Sequence, residues 1–441
     1  MISEQLLAKL EDQNKKDPTQ AIIRKALYKT ALKDFARVME ADQDHKFRFS
    51  NEIKTLPITN QKQSGRCWIF AGLNFLRERV ANSLGLKEFE FSQNYVAFYD
   101  KLEKINYFFY AIDDFLTAKV DDRVLLHLLT TGIQDGGQWQ MFANVVEKYG
   151  LVPKEVMPES FQSSATYQLN NLINIKLRKY ALDARTLAAN NQTNKINALK
   201  ETTLKELYNL LVATLGMPPK SFNFEYVTKD GEYHIEEGLT PKEFYNKYVG
   251  LDLNDYVSVI NSPTVDKPFY NTYTIEYLGN VIGAEREVVH LNLPMDELKQ
   301  LIIKQILDNE TVWFGSDVSF DGERTEGIWD DKQYDFAGSL GLNLTLDKAQ
   351  KLDYRIAQMN HAMTLTGVNL INKKPNKWKI QNSWGDTAGL KGYYLCSDSW
   401  FDKYVFQAVI NKKHLNEKQL AAWEKKPKKV KPWDPMGSLA D

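Results

Sequence analysis

Residues 60–72, Asn-Gln-Lys-Gln-Ser-Gly-Arg-Cys-Trp-Ile-Phe-Ala-Gly, place a cysteine where a polar, glycine-containing loop meets an apolar segment. From Cys67 as far as Val80, apolar residues recur at spacings of three and four, which predicts a helix with one buried face. Cys67 then lies in the first helical turn, where unpaired backbone N–H groups and the helix dipole favour the thiolate over the thiol. A thiolate there would be a nucleophile.

The alternative for an isolated cysteine is a small buried apolar side chain. Against this, the pattern Gln61-x5-Cys67-Trp68 resembles the nucleophile signature of papain-like cysteine peptidases, which implies a His and an Asn supplied from distant parts of the chain. The secreted signature carries a second cysteine three residues before the nucleophile, where this chain has Ser64. No disulfide can therefore form at Ser64. This difference from the secreted signature is compatible with a reducing compartment, where disulfides are rare.

Composition limits the possible partners and compartments. The 441 residues include 56 Lys and Arg against 57 Asp and Glu, so no global field points to a nucleic acid or a membrane surface. The N-terminal residues predict an amphipathic helix capped by Ser3 rather than a secretory leader. No apolar run approaches the roughly 18 residues that span a bilayer. We expect a cytoplasmic protein without membrane contact.

Among six histidines, only His361 begins an alternating, strand-like pattern that is followed by Asn-Ser-Trp-Gly, with Asn382 and Trp384 at the end of the next predicted strand. A histidine chosen at random is more often a surface or core residue than a base. The order in which these residues occur favours His361 as the base and Asn382 as its partner.

With Gln61, Cys67, His361 and Asn382 in this order, the chain resembles the bleomycin hydrolase and aminopeptidase C family of papain-like cysteine peptidases. The resemblance implies a thiolate–imidazolium pair of Cys67 and His361, oriented by Asn382 and shielded by Trp384. It also implies an oxyanion hole made by Gln61 and the Cys67 N–H. The fold class expected is α+β, a papain-like two-domain fold with a helical insertion and a C-terminal arm in the cleft.

The separation of Cys67 from His361 is about twice the roughly 130–150 residues of simple papain-like enzymes, so we predict inserted structure between them. Composition and periodicity predict five segments. They are an N-terminal helical segment (1–55), a helical catalytic domain with Cys67 (56–160), a helical insertion with oligomer contacts (161–245), a β-rich catalytic domain with His361 and Asn382 (246–410) and a C-terminal arm (411–441).

The family resemblance also implies how substrate is held. Gly136 and Gly137 would pair with substrate main chain, although a glycine pair is often only a turn. The terminal carboxylate, on Ala440 or Asp441, would bind the α-ammonium of a peptide and restrict cleavage to N-terminal residues. The closest alternative is an endopeptidase of the same family, in which the arm leaves room for residues preceding the cleaved bond.

The remaining expectations concern cofactors and partners. No Cys and His spacing resembles a zinc site, so neither metal nor cofactor is expected, and Cys396 is predicted to be a buried strand residue. Peptides are the expected partners, and the resemblance implies a homohexamer. A hypothesis from another class is nucleic-acid binding through residues 411–431, which carry eight Lys and two Glu; the near-zero net charge makes this unfavourable.

Overall fold

The structure, a computed structural model, describes residues 1–440, apart from the side chains of residues 42–44. Its helices are α1 (Glu4–Lys16), α2 (Pro18–Leu27), α3 (Leu32–Phe35), α4 (Cys67–Leu84), α5 (Gln93–Asp113), α6 (Arg123–Thr131), α7 (Trp139–Tyr149), α8 (Phe161–Ser164), α9 (Tyr167–Ala189), α10 (Ile196–Leu215), α11 (Pro241–Phe244), α12 (Met295–Leu307), α13 (Phe336–Leu340), α14 (Lys348–Asp353), α15 (Asp398–Tyr404) and α16 (Glu417–Trp423). Short 3₁₀ turns cover Met39–Asp44, Thr193–Lys195, Leu253–Asp255, Lys412–His414 and Pro435–Gly437, and a π-helical turn covers Tyr245–Val249.

The strands form one large mixed sheet and one separate hairpin. They are β1 (Asn51–Glu52), β2 (Phe222–Val227), β3 (Tyr233–Leu239), β4 (Tyr256–Ile260), β5 (Asn271–Ile275), β6 (Val289–Asn292), β7 (Val312–Ser316), β8 (Gly322–Glu323), β9 (Ile328–Trp329), β10 (His361–Ile371), β11 (Lys374–Gln381), β12 (Tyr393–Ser397), β13 (Val405–Asn411) and β14 (Lys428–Val430). The order in the large sheet is β14-β5-β6-β4-β13-β7-β10-β11-β12-β9-β8, with β1 beside β10, and the hairpin is β2–β3. An α+β fold is confirmed.

Helix α4 is the central element, because its N-terminal half packs against the sheet and against other helices at once. Every residue from Cys67 to Arg77 is buried. The Trp313 indole on β7 donates to the Trp68 carbonyl (3.2 Å), and the Thr364 hydroxyl on β10 donates to the Ala71 carbonyl (3.4 Å). The helix begins at Cys67, as predicted, but the prediction of a single buried face was wrong for this half, since β7 and β10 cover what would otherwise be its solvent side.

The strands at the site are held in register by antiparallel pairing. His361, the first residue of β10, lies opposite Ser316 at the end of β7, and Thr364 lies opposite Gln381 at the end of β11. The turn that follows β11 therefore emerges beside the start of β10. This topology brings Asn382, which follows Gln381, next to His361.

Most of the periodic segments form the predicted elements, with one addition. Helices α9 and α10 lie within residues 161–245, which were predicted to be helical, but the same region also contains the β2–β3 hairpin. Composition gave no sign of this hairpin, because it buries only Phe222, Phe224 and Leu239 while most of its other residues face solvent. Ser3 caps α1 through its hydroxyl, as predicted. None of the described helices is both long and apolar enough to cross a lipid bilayer.

Replacement of Gly72 by alanine is predicted to destabilise the protein. A Cβ atom there would lie 2.8 Å from the buried Phe142 ring on α7. Alanine is favoured over glycine within a helix by about 1 kcal/mol, whereas overpacking costs about 1–3 kcal/mol, so we expect a net loss of about 1 kcal/mol, and at most about 2 kcal/mol, in the free energy of unfolding. Urea denaturation measures it.

A second substitution separates packing from other causes. In the Gly72→Ala background, Phe142→Leu makes room for the new methyl group, so the double variant is expected to lose less stability than the sum of the two single variants. Simple additivity would contradict the proposed clash.

Candidate functional site

The helix N-terminus and the sheet bring Cys67 and His361 together. Cys67 is fully buried as the first residue of α4, and its Sγ accepts a hydrogen bond from the backbone N–H of Ala362 at 3.3 Å. Arg66, which precedes it, binds Glu159 through both terminal guanidinium nitrogens (3.1 and 2.7 Å). The loop entering the helix is therefore fixed, and the thiol lies beside the first residues of β10.

The Asn382 side chain fixes the tautomer of His361. The Asn382 Oδ1 accepts from the Ser383 backbone N–H at 2.8 Å, which identifies this atom as the carbonyl oxygen. His361 Nε2 lies 2.9 Å from the same oxygen and must therefore be the donor. The Nδ1 atom of the neutral ring then keeps its lone pair and is the basic nitrogen.

The surroundings of His361 favour its neutral form. Burial lowers the pKa of His361 to about 4; the positive charge of Arg324 adds to this effect, while the hydrogen bond with Asn382 opposes it. The Trp384 ring stacks on the imidazole, with ring centroids 4.7 Å apart and an interplanar angle of 25°. The Arg324 guanidinium carbon lies 4.5 Å from the Trp384 ring centroid. The imidazole is thus enclosed between the core and an aromatic cover.

Gln61 is held by hydrogen bonds on both ends of its amide. Its Oε1 accepts from the Ser383 hydroxyl (2.6 Å), and its Nε2 donates to the Ser64 carbonyl (2.6 Å). The backbone N–H of Gln61 donates to the Ser383 carbonyl (2.8 Å). An amide nitrogen carries two hydrogens, so one N–H of Gln61 is used by Ser64 and the other is available to a further acceptor.

The predicted glycine pair lies against the C-terminal arm. Gly137 forms an antiparallel bridge with Ala440, and the Gln138 side-chain amide donates to the Ser438 carbonyl at 2.7 Å. A Cβ atom at Gly136 would lie 2.6 Å from the Ala440 carbonyl oxygen, and one at Gly137 would lie 2.4 Å from the Trp68 ring. Both positions therefore need glycine for close approach, and Ala440 is buried there. Asp441 lies outside the described residues.

A buried ionic network supports this glycine segment, and sequence reasoning missed it. Lys104 donates to the Gly136 carbonyl (2.7 Å), the Gln134 carbonyl (3.0 Å) and the Asp100 carboxylate (2.7 Å). Lys101 pairs with Asp135 at 2.5 Å. The sequence indicates this network only through Asp100 and Lys104. They are four residues apart, the spacing at which oppositely charged side chains meet on a helix.

Charge pairing decides the ionisation of Asp135. Burial alone would raise the pKa of this carboxyl, but the ion pair with Lys101 and hydrogen bonds from Lys101 and Thr166 outweigh it and lower the pKa. Asp135 thus stays ionised, and its backbone carbonyl accepts from the Trp68 indole at 2.7 Å. The network connects the glycine segment to the helix that carries Cys67.

The C-terminal arm is anchored before it reaches the site. The Trp433 ring lies 3.8 Å from the Arg123 guanidinium carbon, and Asp434 accepts from Lys267 at 2.8 Å. Within the arm, strand β14 pairs in parallel with β5. Between the arm and the body of the protein is a cavity of about 450 Å³, whose walls include Met359, Asn360 and Leu439.

The second cysteine has no place in this arrangement. Cys396 is fully buried on β12, as predicted, and burial raises the pKa of its thiol well above the usual value. It therefore lacks thiolate character. Cys67, His361, Asn382, Gln61 and Trp384, by contrast, meet at one point of the fold, and Gly136, Gly137 and Ala440 meet along the arm.

Comparison with known proteins agrees with the geometry. Residues 1–437 match the Peptidase C1-like family. The chain is 50% identical over 394 residues to Aminopeptidase C of Lactococcus lactis subsp. cremoris, covering 89% of each chain. It is 38% identical over 406 residues to human bleomycin hydrolase, covering 90% of this chain and 89% of the human one.

Similarity to a solved structure covers the whole molecule. The crystal structure of PepW from Lactobacillus rhamnosis HN001 superposes with a TM-score of 0.97 at 45% identity, covering 100% of this chain and 99% of that one. With a matching family over nearly its full length and a buried Cys, His and Asn at its centre, this chain belongs to the Peptidase C1-like family of cysteine peptidases.

Proposed function

We propose that the protein is a cysteine aminopeptidase that removes N-terminal residues from peptides. The observation that supports this proposal is the bridge between Ala440 and Gly137. If substrate main chain pairs with the glycine segment, as we propose, the arm limits the room for it. Only a short stretch of peptide would then fit on the N-terminal side of the cleaved bond. The names of the relatives, Aminopeptidase C and bleomycin hydrolase, support the same reading.

In the proposed mechanism Cys67 Sγ attacks the scissile carbonyl carbon. His361 gives a proton to the leaving nitrogen as the C–N bond breaks, and a thioester remains on Cys67. Water, activated by His361, then hydrolyses the thioester and releases the amino acid. The hydrogen bond from His361 Nε2 to Asn382 orients the ring with Nδ1 as the reactive nitrogen, and Trp384 keeps water from that bond.

The ionisation of Cys67 and His361 depends on two opposing effects. Burial and Arg324 hold the pKa of His361 low, so without a counter-charge the ring is neutral at pH 7. A thiolate on Cys67 favours the imidazolium, and the N-terminus of α4 favours the thiolate. The proposed ion pair therefore forms only when both members ionise together.

The oxyanion is proposed to be bound by the second N–H of Gln61 Nε2 and by the Cys67 backbone N–H. The fixed Gln61 amide supports this role, since both its oxygen and one of its N–H groups are already bonded within the protein. A preorganised donor of this kind is worth roughly 3–4 kcal/mol in the transition state.

The terminal carboxylate is proposed to bind the α-ammonium of the substrate. A buried carboxylate needs a cationic partner, and a free peptide N-terminus supplies one. The arm supports this role because Ser438 and Ala440 are held by Gln138 and Gly137. Whether Ala440 or Asp441 ends the mature chain sets how far the carboxylate reaches.

The catalytic body is proposed to consist of two domains, and the insertion is proposed to form contacts between subunits. Two buried hydrophobic clusters, one mainly within the helices and one on the sheet, support a two-domain catalytic body with an insertion at 161–245. Exposed apolar residues on α9 support oligomer contacts through the insertion, in a homohexamer. They are Tyr167, Leu172, Ile175 and Leu182. We place the enzyme in the cytoplasm, acting on peptides.

The first prediction of this proposal concerns paired fluorogenic peptides with free and acetylated N-termini. The intact protein should cleave only the free peptide, and Cys67→Ala should abolish cleavage. A variant truncated after Gly437 should accept the acetylated peptide as well, because Ser438 and Ala440, which contact Gln138 and Gly137, are then absent. Initial rates of fluorophore release measure all three.

The remaining outcomes of this assay have definite meanings. Equal cleavage of both peptides by the intact enzyme would make it an endopeptidase of the same family. Activity that survives in Cys67→Ala would contradict the cysteine mechanism. Cys396→Ala is the matched control, and it should keep full activity because Cys396 lies in the sheet core.

The second prediction concerns the titration of His361, followed by NMR of isotope-labelled histidines. In Cys67→Ala no thiolate can form, so the imidazole should stay neutral down to a pH of about 4. In the intact protein it should hold its proton to a higher pH. Because a nearby positive charge lowers the pKa of His361, adding Arg324→Gln to Cys67→Ala should raise that pKa.

His290 is the internal control for this titration. Burial lowers its pKa to about 4 as well, and its Nδ1 lies 2.7 Å from the Ser258 hydroxyl. It should titrate identically with and without Cys67. If His361 also titrates identically in the two proteins, the thiolate–imidazolium pair is wrong.

A further inference from the structure

Arg324, beside the active site, contacts Trp384 and Tyr394 through its side chain but pairs with no carboxylate among the described residues. Arg324 lies in the loop between β8 and β9, its side chain is exposed, and its guanidinium carbon lies 4.5 Å from the Trp384 ring centroid. Trp384 in turn stacks on His361. The cation therefore lies one aromatic ring away from the group that handles the proton in the proposed mechanism.

The neighbouring carboxylates are already engaged with other groups. Glu326 binds Arg37, with both carboxylate oxygens 3.0 Å from the same guanidinium nitrogen, and Glu323 accepts from the Glu326 backbone N–H at 2.5 Å. In the part of the chain that the structure describes, the Arg324 guanidinium forms no ion pair. An arginine beside two acidic residues that pairs with neither is available to an anion from outside.

The backbone at Arg324 and Thr325 is held in place by hydrogen bonds from another part of the chain. The Tyr394 hydroxyl donates to the Arg324 carbonyl at 3.0 Å, and the Gly389 N–H donates to the Thr325 carbonyl at 2.8 Å. The ring of Trp384 also limits where the guanidinium can lie. A ligand that binds here consequently loses less free energy to ordering the loop.

The course of the substrate leads toward this cation. If the arm holds the N-terminal residue, the rest of the peptide must extend away from Ala440. The leaving nitrogen takes its proton from His361, so the leaving part passes the ring that Trp384 covers. The spacings of 4.7 Å from His361 to Trp384 and 4.5 Å from Trp384 to Arg324 put the guanidinium no farther from the imidazole than the length of roughly three extended residues at ~3.3 Å each.

We propose that Arg324 binds the C-terminal carboxylate of short peptide substrates and so forms a subsite on the leaving-group side of Cys67. This inference rests on the proposed aminopeptidase function. Guanidinium and carboxylate groups match in geometry and charge. The subsite would favour peptides whose leaving part is one to three residues long, because a longer leaving part carries its carboxylate past the arginine.

The test uses pairs of peptides that differ only at the C-terminus, such as Leu-Gly-Gly with a free carboxylate and Leu-Gly-Gly amide. Release of leucine is followed by mass spectrometry at low and at high ionic strength. The wild-type KM should be about threefold lower for the carboxylate form, as expected for an exposed ion pair, while the two kcat values should be similar. The difference should shrink at ~1 M salt, where charges are screened within about 3 Å.

Variants assign the effect to Arg324. In Arg324→Gln the two KM values should become equal, and Arg324→Lys should restore part of the difference. Arg79→Gln makes the same charge change at an exposed position of α4 and should leave the ratio of KM values as in the wild type. A merely structural role of Arg324 would change the kinetics of both peptides together and leave that ratio intact.

The outcomes separate this inference from the proposed function. Cleavage of both peptides with equal KM in the wild type would overturn the carboxylate subsite and leave the aminopeptidase intact. A KM difference that persists in Arg324→Gln would likewise overturn it. If no leucine is released from either peptide, the aminopeptidase function fails, and the subsite fails with it.

Discussion

The packing of α4 against β7 and β10 is the contact on which the rest of the site depends. It buries the first three turns of the helix completely and places Cys67 beside the Ala362 N–H. Hydrogen bonds from Trp313 and Thr364 to helix carbonyls fix the position of the helix along the sheet. Because interiors are close-packed, the thiol and the imidazole can move apart only if this interface opens.

The site also depends on polar groups buried for support. Lys101 pairs with Asp135 and Lys104 pairs with Asp100 next to the glycine segment, and both pairs are buried, which raises the pKa of Asp100. Removing one member of such a pair leaves an uncompensated buried charge, which costs more than the pair contributes. The four side chains are therefore stable only when both ion pairs are formed. It holds the Gly136 carbonyl toward Lys104, and the next residue, Gly137, pairs with the arm.

Local patterns in the sequence predicted those parts of the site that belong to single elements. A three- and four-residue period predicted the helix that starts at Cys67, and alternation predicted the strand that starts at His361. The turn carrying Asn382 follows from the end of β11. Each of these elements is determined by residues close together in the sequence, so the periodicity of apolar residues was sufficient to predict it. The segment boundaries and the roles of the site residues stay predictions.

What the sequence could not reveal depends on contacts between distant residues. The Lys104 carbonyl contacts, the Gln138 bond to Ser438 and the stack of Arg324 on Trp384 join segments that no local pattern connects. The β2–β3 hairpin was missed for the opposite reason. It buries few side chains, so burial left little trace in its composition.

The arm has one consequence that follows from its covalent attachment. Ser438 and Ala440 contact Gln138 and Gly137 as part of the same chain, so their effective concentration at Gly137 is set by chain geometry and is the same at any dilution. A free peptide of the same sequence would dissociate on dilution, whereas the covalently attached arm does not. A single cut in the segment that leads to Ser438 would therefore let the arm leave Gly137, without altering Cys67, His361 or Asn382.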